Sequence, residues 1–445
     1  EMADKEKRLF KIGVAVPLGY IKSAEQHTTN DIKLGTFRRA KTLPPHFANV
    51  RNSTPTDFKF LNEEYKSDLE IGFLRSGETV IEQRTGLKGS DIAMHIGIFA
   101  TTGMGKSNLM KCLATSFLTC GKYGLLLFDA HSEYFGQPKI PGLKDHPFAK
   151  DNLRYYTNKK TPYPHRELRL SIHEISPSDL KNVYEFTPPQ LELLERLDAT
   201  HSRDWVKLIN ENESTAIQTA LGGWFHEGTI QVLKRRINSL LRGGIFVDDE
   251  KYTISRDIVK DLHNGKVVLI DTSMLNSIDE LLVTTILART IFEKNKKLYE
   301  ERGSMEDIPI VLITLEEAQR VLSRMTGNIF STIAREGRKF KVGLCAIAQQ
   351  PRLIGAEILS QFNTLLILRL ADKNDRENII RASSHDISQL DNEIQTLMPG
   401  EAILSSISTP FPLPMKIHKF EEYISYVRET KHENINKEEP LDDFF

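Results

Sequence analysis

The chain has 445 residues, 40% of them hydrophobic and 27% charged, with a formal net charge of −1. That length suggests two or three domains, and the composition is that of a globular protein. The near-zero charge excludes a globally basic surface, so any nucleic-acid contact must concentrate its positive charge in a groove or a ring interior.

The opening Glu1-Met2 fits a fragment of a longer chain. Residues 1–94 are mixed. Residues 11–16 and 69–73 are expected as short strands, with another at 80–83, and Pro44-Pro45 and the 52–57 stretch break any regular pattern. A small, shortened N-terminal β domain over 1–90 is the expectation. From residue 95 strands alternate with helices. The strand candidates are 94–99, 124–128, 267–270, 310–313, 342–348 and 365–370, short apolar runs without polar alternation, as in strands buried on both faces of a parallel sheet. Residues 279–299 form a helix whose face carries Val283, Leu287, Ile291 and Leu298. The sum is an α/β fold, doubly wound around a mainly parallel sheet. More than a hundred residues separate the strand at 124–128 from that at 267–270. Segments 189–199 and 215–243 carry Leu, Ile and Trp at helical spacing, so a helical subdomain inserted over 151–261 is expected. The core then comprises 91–150 and 262–427, with a strand at 401–405, a Pro-rich stretch at Pro410, Pro412 and Pro414, and a charged tail from 428 to 445.

Cys112, Cys120 and Cys345 lie in apolar segments without metal-ligand spacing and read as reduced core residues of a cytoplasmic protein. No apolar run reaches the ~18 residues that a membrane span needs, so no membrane partner is expected.

The strongest chemistry lies at residues 95–118. A short apolar run (Ile96, Ile98, Phe99) ends in Ala100-Thr101-Thr102-Gly103-Met104-Gly105-Lys106-Ser107, which opens an apolar-rich helix. This is the setting of a phosphate-binding loop: inward-pointing backbone N–H groups, the positive end of a helix dipole, Lys106 on the β- and γ-phosphates and the Ser107 hydroxyl on Mg²⁺. Thr102, Gly103, Met104, Gly105, Lys106, Ser107 and Asn108 are the candidate ATP-binding set. Ala100 stands where the usual pattern has Gly. Hydrolysis also needs a metal acid and a group that orients water. Three apolar runs end in acid: at Asp129, Asp271 and Glu316-Glu317. The pair is preferred, with Glu316 on Mg²⁺ and Glu317 orienting the attacking water; the competing use is to cap the following helix. Asp129 either lines the same site or shapes a strand-end turn. His131 and Glu133 form H-x-E without the Pro-Cys-x-x-Cys of a zinc deaminase, and read as a polar loop. Gln349 either senses the γ-phosphate or bonds local backbone. Arg338 is the candidate arginine finger, acting on a neighbouring subunit's site in a ring; a salt bridge or a nucleic-acid phosphate contact is the alternative.

Loop 100–107, Phe128-Asp129-Ala130-His131-Ser132-Glu133-Tyr134, Glu316-Glu317-Ala318-Gln319, Gly337-Arg338-Lys339-Phe340 and Ala348-Gln349-Gln350-Pro351 occur in the order and approximate spacing of the HerA ATPases. Over about residues 70–420 the chain resembles that family, on the HerA/FtsK branch of RecA-like P-loop motors. The resemblance implies a RecA-like core, an N-terminal HAS-barrel, and a hexameric ring that hydrolyses ATP and moves double-stranded DNA through its pore. It also implies a nuclease partner, NurA-like, sirtuin-like or other, in DNA end processing or antiphage defence. By the same resemblance Glu316 is the Walker B acid, Glu317 the catalytic Glu, Gln349 the sensor and Arg338 the trans finger. Gln319 departs from the family, which often has His there.

Arg235, Arg236, Arg242, Lys339 and Lys341 are candidate DNA contacts, although a solvated helix face suits the first three. The acidic, aromatic-tipped residues 436–445 could dock on a partner or stay disordered. A conjugation or secretion ATPase of the same branch is a second motor reading. A nucleotide-gated ring scaffold that assembles and regulates an effector nuclease is the alternative from another class, and Glu317→Gln would separate it from a motor.

Overall fold

Apolar runs with turn residues at both ends form the frame of the molecule. A computed structural model describes residues 19–22, 36–39, 51, 53–65, 67–249, 254–303, 308–323 and 328–438. The chain divides into two units, residues 1–66 and 67–445. In the first, Gly19–Lys22 pairs antiparallel with Thr36–Arg39. A turn at Pro55–Phe58, capped where Asp57 accepts from the Thr54 N–H at 2.8 Å, leads into helix Lys59–Glu64. The strand expected at 11–16 lies outside the described residues.

The second unit holds an 11-stranded sheet. Its strands are β1 (Leu69–Ser76), β2 (Thr79–Leu87), β3 (Ile96–Phe99), β4 (Gly124–Asp129), β5 (Leu153–Tyr156), β6 (Val267–Asp271), β7 (Val311–Leu315), β8 (Val342–Ala348), β9 (Thr364–Ile367), β10 (Glu401–Ser406) and β11 (Leu413–Ile417). The order is β2-β1-β11-β10-β9-β3-β8-β7-β4-β6-β5. From β9 to β5 neighbours run parallel, and from β9 to β2 antiparallel. The fold is therefore the expected α/β architecture with a mainly parallel sheet. Two boundaries differ from expectation. Residues 69–87, assigned to the N-terminal β domain, are an edge hairpin of the large sheet, recruited through β1 and β11. The start of the expected insertion, 153–156, is the opposite edge strand, paired to β6.

Both faces of the parallel strands are covered. Leu126, Phe128, Val268, Ile270, Ile313 and Leu344 belong to one continuous core with Val283, Leu287 and Ile291 of α2 (Ser277–Arg302). The intervening residues Leu125, Leu127, Leu269 and Leu312 are equally buried but outside that cluster, as strand alternation requires. α1 (Lys106–Cys120) turns Leu109, Met110, Leu113 and Phe117 inward. α2 begins where Asn276 accepts from the N–H groups of Ile278 and Asp279, and ends at left-handed Gly303.

The inserted helices share the same core: Leu193, Leu197, Trp205, Ile230, Leu233 and Ile237 join the cluster under α2. The helical segment expected over 215–243 is broken into Ser214–Ala220 and Glu227–Leu241, because Gly222 and Gly223 both take positive φ. α3 (Ile329–Glu336) precedes the turn that carries Arg338. α4 (Phe420–Glu438) makes the first part of the expected tail helical, and residues 439–445 lie outside the described residues. α4 rests on α1: Asn108 donates to the His418 carbonyl at 2.8 Å and accepts from the Phe420 N–H at 3.0 Å, and Ser116 meets the Tyr423 hydroxyl at 3.1 Å. The three cysteines are free thiols. Among the described residues no helix is long and apolar enough to cross a membrane.

Candidate functional site

β3 lies between β8 and β9, and the chain leaves it at Phe99 into the glycine-containing loop. Backbone bonds fix the loop's start: the Ala100 N–H donates to Ala348 at 3.3 Å and the Thr101 N–H to Arg369 at 2.8 Å. Ala100 is fully buried, does not need a positive φ, and receives the Lys106 ammonium on its carbonyl at 3.1 Å. This is why Ala is accepted in place of Gly. Gly103 (φ 80°) and Gly105 (φ 100°) do take left-handed conformations that only glycine adopts without strain. Among the described residues the N–H groups of Gly103, Gly105, Lys106, Ser107 and Asn108 donate to no protein acceptor. A run of free donors at a helix N-terminus is what an anionic phosphate chain requires.

Thr102, Gly103, Gly105, Lys106, Ser107 and Asn108 line a cavity of about 460 Å³. Glu316, Glu317 and Gln349 line its other side, so most of the predicted residues converge there. Met104 is not among the lining residues, and the Asn108 amide is committed to α4. β7 ends at Leu315, and the acid pair turns into the cavity instead of capping the next helix. Glu316 accepts from the Tyr134 hydroxyl, and its burial raises its pKa to about 7. Glu317 sits at φ 46°, a sparsely populated conformation for a residue with a side chain. One of its oxygens accepts from Gln349 Nε2 at 2.9 Å and the other from Gln319 Nε2 at 2.5 Å. Gln349 Oε1 in turn accepts from Thr102 Oγ1 at 2.6 Å. Burial lowers the pKa of Lys106, and Glu317 and Glu316 oppose that shift.

Two predicted residues sit elsewhere. Asp129 is buried outside the cavity lining, where its carboxylate accepts from the N–H groups of Glu133 and Tyr134 at 2.8 and 3.0 Å. Its work is to fold the 130–134 turn that carries Tyr134 to Glu316. Arg338 is exposed in the turn Gly337–Phe340 and does not line its own chain's cavity. The remaining strand-end acid, Asp271, is held by Thr157 and Tyr155 at 2.9 and 3.1 Å. Tyr134 has no expected role, and His131 and Glu133 are expected in a polar loop; all three line the cavity. The local signal was Asp129 itself, a strand-end acid that here bonds the N–H groups four and five residues on.

Of the candidate DNA contacts, Arg236 is stacked on Phe186 and Tyr184, 4.7 and 5.1 Å from the ring centres, and donates to Glu185. Lys339 lies 5.0 Å from the centre of the Tyr299 ring. Arg235 and Arg242 are exposed.

A family model described as "Helicase HerA, central domain" matches residues 69–291. The "DNA double-strand break repair helicase HerA" of Sulfolobus acidocaldarius is 27% identical over 389 residues, covering 82% of this chain and 73% of the relative. The protein of the same description from Saccharolobus solfataricus is 27% identical over 379 residues, covering 81% and 71%. In fold, the bacterial conjugative coupling protein TrwB superposes with a TM-score of 0.54 at 12% identity, covering 82% of this chain and 92% of that one. VirB4 of Thermoanaerobacter pseudethanolicus gives 0.52 at 12% identity, covering 79% and 96%. The family model spans half of the chain and takes in the phosphate-loop geometry described above, so the protein belongs to the HerA helicase family and is an ATP-hydrolysing enzyme.

Proposed function

We propose that the protein is an ATP-driven translocase of double-stranded DNA that works as a hexameric ring with a nuclease partner, in DNA end processing or antiphage defence. The observation that carries this reading is the convergence of Lys106, Ser107, Glu316, Glu317 and Gln349 on one cavity. In it Lys106 and the loop amides hold the ATP phosphates, Glu317 orients the attacking water, and Gln349 meets the γ-phosphate. The Ser107 hydroxyl and the Glu316 carboxylate are oxygen donors of the kind Mg²⁺ prefers. Bound there, Mg²⁺ would neutralise charge on the β- and γ-phosphate oxygens. The exposed position of Arg338, away from its own chain's cavity, supports a finger that serves a neighbouring subunit. The printed functions of the HerA relatives support DNA as the track.

The test is steady-state ATP hydrolysis with and without linear double-stranded DNA, with Lys106→Ala as blank. Strong stimulation by DNA is expected. Turnover indifferent to DNA would overturn the translocase and favour a ring scaffold that gathers an effector nuclease, and recovery of such an effector with the ring would then be the next measurement.

A further inference from the structure

Glu317 is tied on both oxygens, and the two ties differ. Gln349 lines the cavity, and so does Thr102, which is bonded to it. Gln319 does not line it. Its 2.5 Å bond therefore turns the second Glu317 oxygen toward a group outside the space that would hold nucleotide and water. A carboxylate that orients water must present an oxygen to that water. Gln319 holds this bond at its own disadvantage, because among the described residues its buried Oε1 has no donor. Glu317 meanwhile keeps a left-handed φ of 46°, which stores strain that a change of conformation would release. Both features mark an arrangement ready to be exchanged for another.

We propose that Gln319 is a positioning residue that latches one oxygen of Glu317 away from the attacking water, in a closed form that persists when nucleotide alone occupies the cavity. The proposal rests on Glu317 being the water-orienting group. Opening frees that oxygen and turns it to the cavity; because nucleotide alone leaves the closed form populated, the latch limits turnover without DNA and leaves nucleotide affinity alone.

The experiment compares ATP turnover, without and with linear double-stranded DNA, in the parent, Gln319→Leu, Gln319→His, Glu317→Gln and Glu317→Gln/Gln319→Leu. Gln319→Leu removes both the donor and the orphaned oxygen; it should raise turnover without DNA by about fivefold, the order that one lost hydrogen bond carries, and shrink the stimulation by DNA. Affinity for a fluorescent ADP analogue and the thermal midpoint should stay at or above the parent's. Gln319→His keeps an N–H donor and should return turnover to the parent's level. The double variant should be inactive, which places the gain at Glu317. Gln319→Met, also without a donor, replaces Gln319→Leu if that protein does not fold. Turnover in Gln319→Leu that falls, or equals the parent's without DNA, would sink the latch. That outcome is read from the ratio of variant to parent without DNA, so it stands apart from whether DNA stimulates, which judges the translocase. Turnover in Glu317→Gln equal to the parent's would instead remove the role given to Glu317, and the latch with it.

Discussion

The two walls of the cavity are built on opposite plans. The loop wall, 100–107, is mostly backbone. Its glycines take their left-handed conformations without strain, and its amides at 103 and 105–108 are uncommitted among the described residues. The acid wall is side chain and engaged in hydrogen bonds: one oxygen of Glu316 with Tyr134, both oxygens of Glu317 with Gln349 and Gln319, on a strained backbone. One wall can accept an anion with little rearrangement, whereas on the latch proposal the other must exchange a hydrogen bond before it can act. Affinity and turnover are thus set by different residues and should separate under mutation.

Glu317→Gln tests this most sharply. It should cut ATP turnover by about 10²–10³-fold while nucleotide binding, measured by fluorescent-ADP titration, stays close to the parent's. Loss of binding along with turnover would break the division between the walls.

The loop wall depends on β3, which begins beside buried His95. That imidazole accepts from the Leu344 N–H at 3.0 Å, and burial lowers its pKa to about 4. An unfolded His titrates near 6.5, so below that pH the unfolded chain binds a proton that the fold excludes. The His95 contribution should therefore be constant above about 6.5 and fall between there and about 4, by about 3 kcal/mol at most, while Glu316, raised from 4.5 to about 7, runs the opposite way in between. Chemical denaturation from pH 7 to 4.5 should show the His95 slope as the difference between the parent and His95→Gln, which keeps an acceptor and leaves Glu316 in both.

Gly105→Ala should act on the loop alone. Space exists for the added methyl, whose nearest neighbour would be the Gly400 nitrogen at 3.7 Å, but φ is 100°. The strain, about 1–2 kcal/mol, should appear as weaker nucleotide binding with the acid wall unaffected. Smallest is Tyr134→Phe, which removes one hydroxyl from Glu316. About a tenfold fall in turnover, with metal-free ADP binding unchanged, is expected from one charge-assisted bond. An equal loss of ADP affinity would mean that the walls are not independent.

Legibility in the sequence divides along the same line. The loop is local in sequence, so residues 100–107 announce both their conformation and their ligand, and the parallel strands are visible as unbroken apolar runs. The acid pair was visible only as an acidic strand end. Its partners come from residues 102, 134, 319 and 349, and nothing in the spacing of distant residues fixes which amide meets which carboxylate. The same limit explains the edge hairpin at 69–87, which joins the large sheet through a strand more than three hundred residues later. It also explains the insertion. The helical pattern of 189–241 is legible, but its sharing of one core with α2 is a tertiary fact. Asp129 shows the reverse case, a residue picked for chemistry whose local hydrogen bonds give it a structural task.

The seat of α4 on α1 sets a boundary for engineering. Asn108 lies two residues past Lys106, and its amide is satisfied at both ends by the backbone at 418 and 420. A truncation that stopped short of His418 would orphan both ends of that amide about half a turn from Lys106. Affinity tags and fusion partners belong after the helix, and a shortened chain that still binds nucleotide must retain at least residue 420.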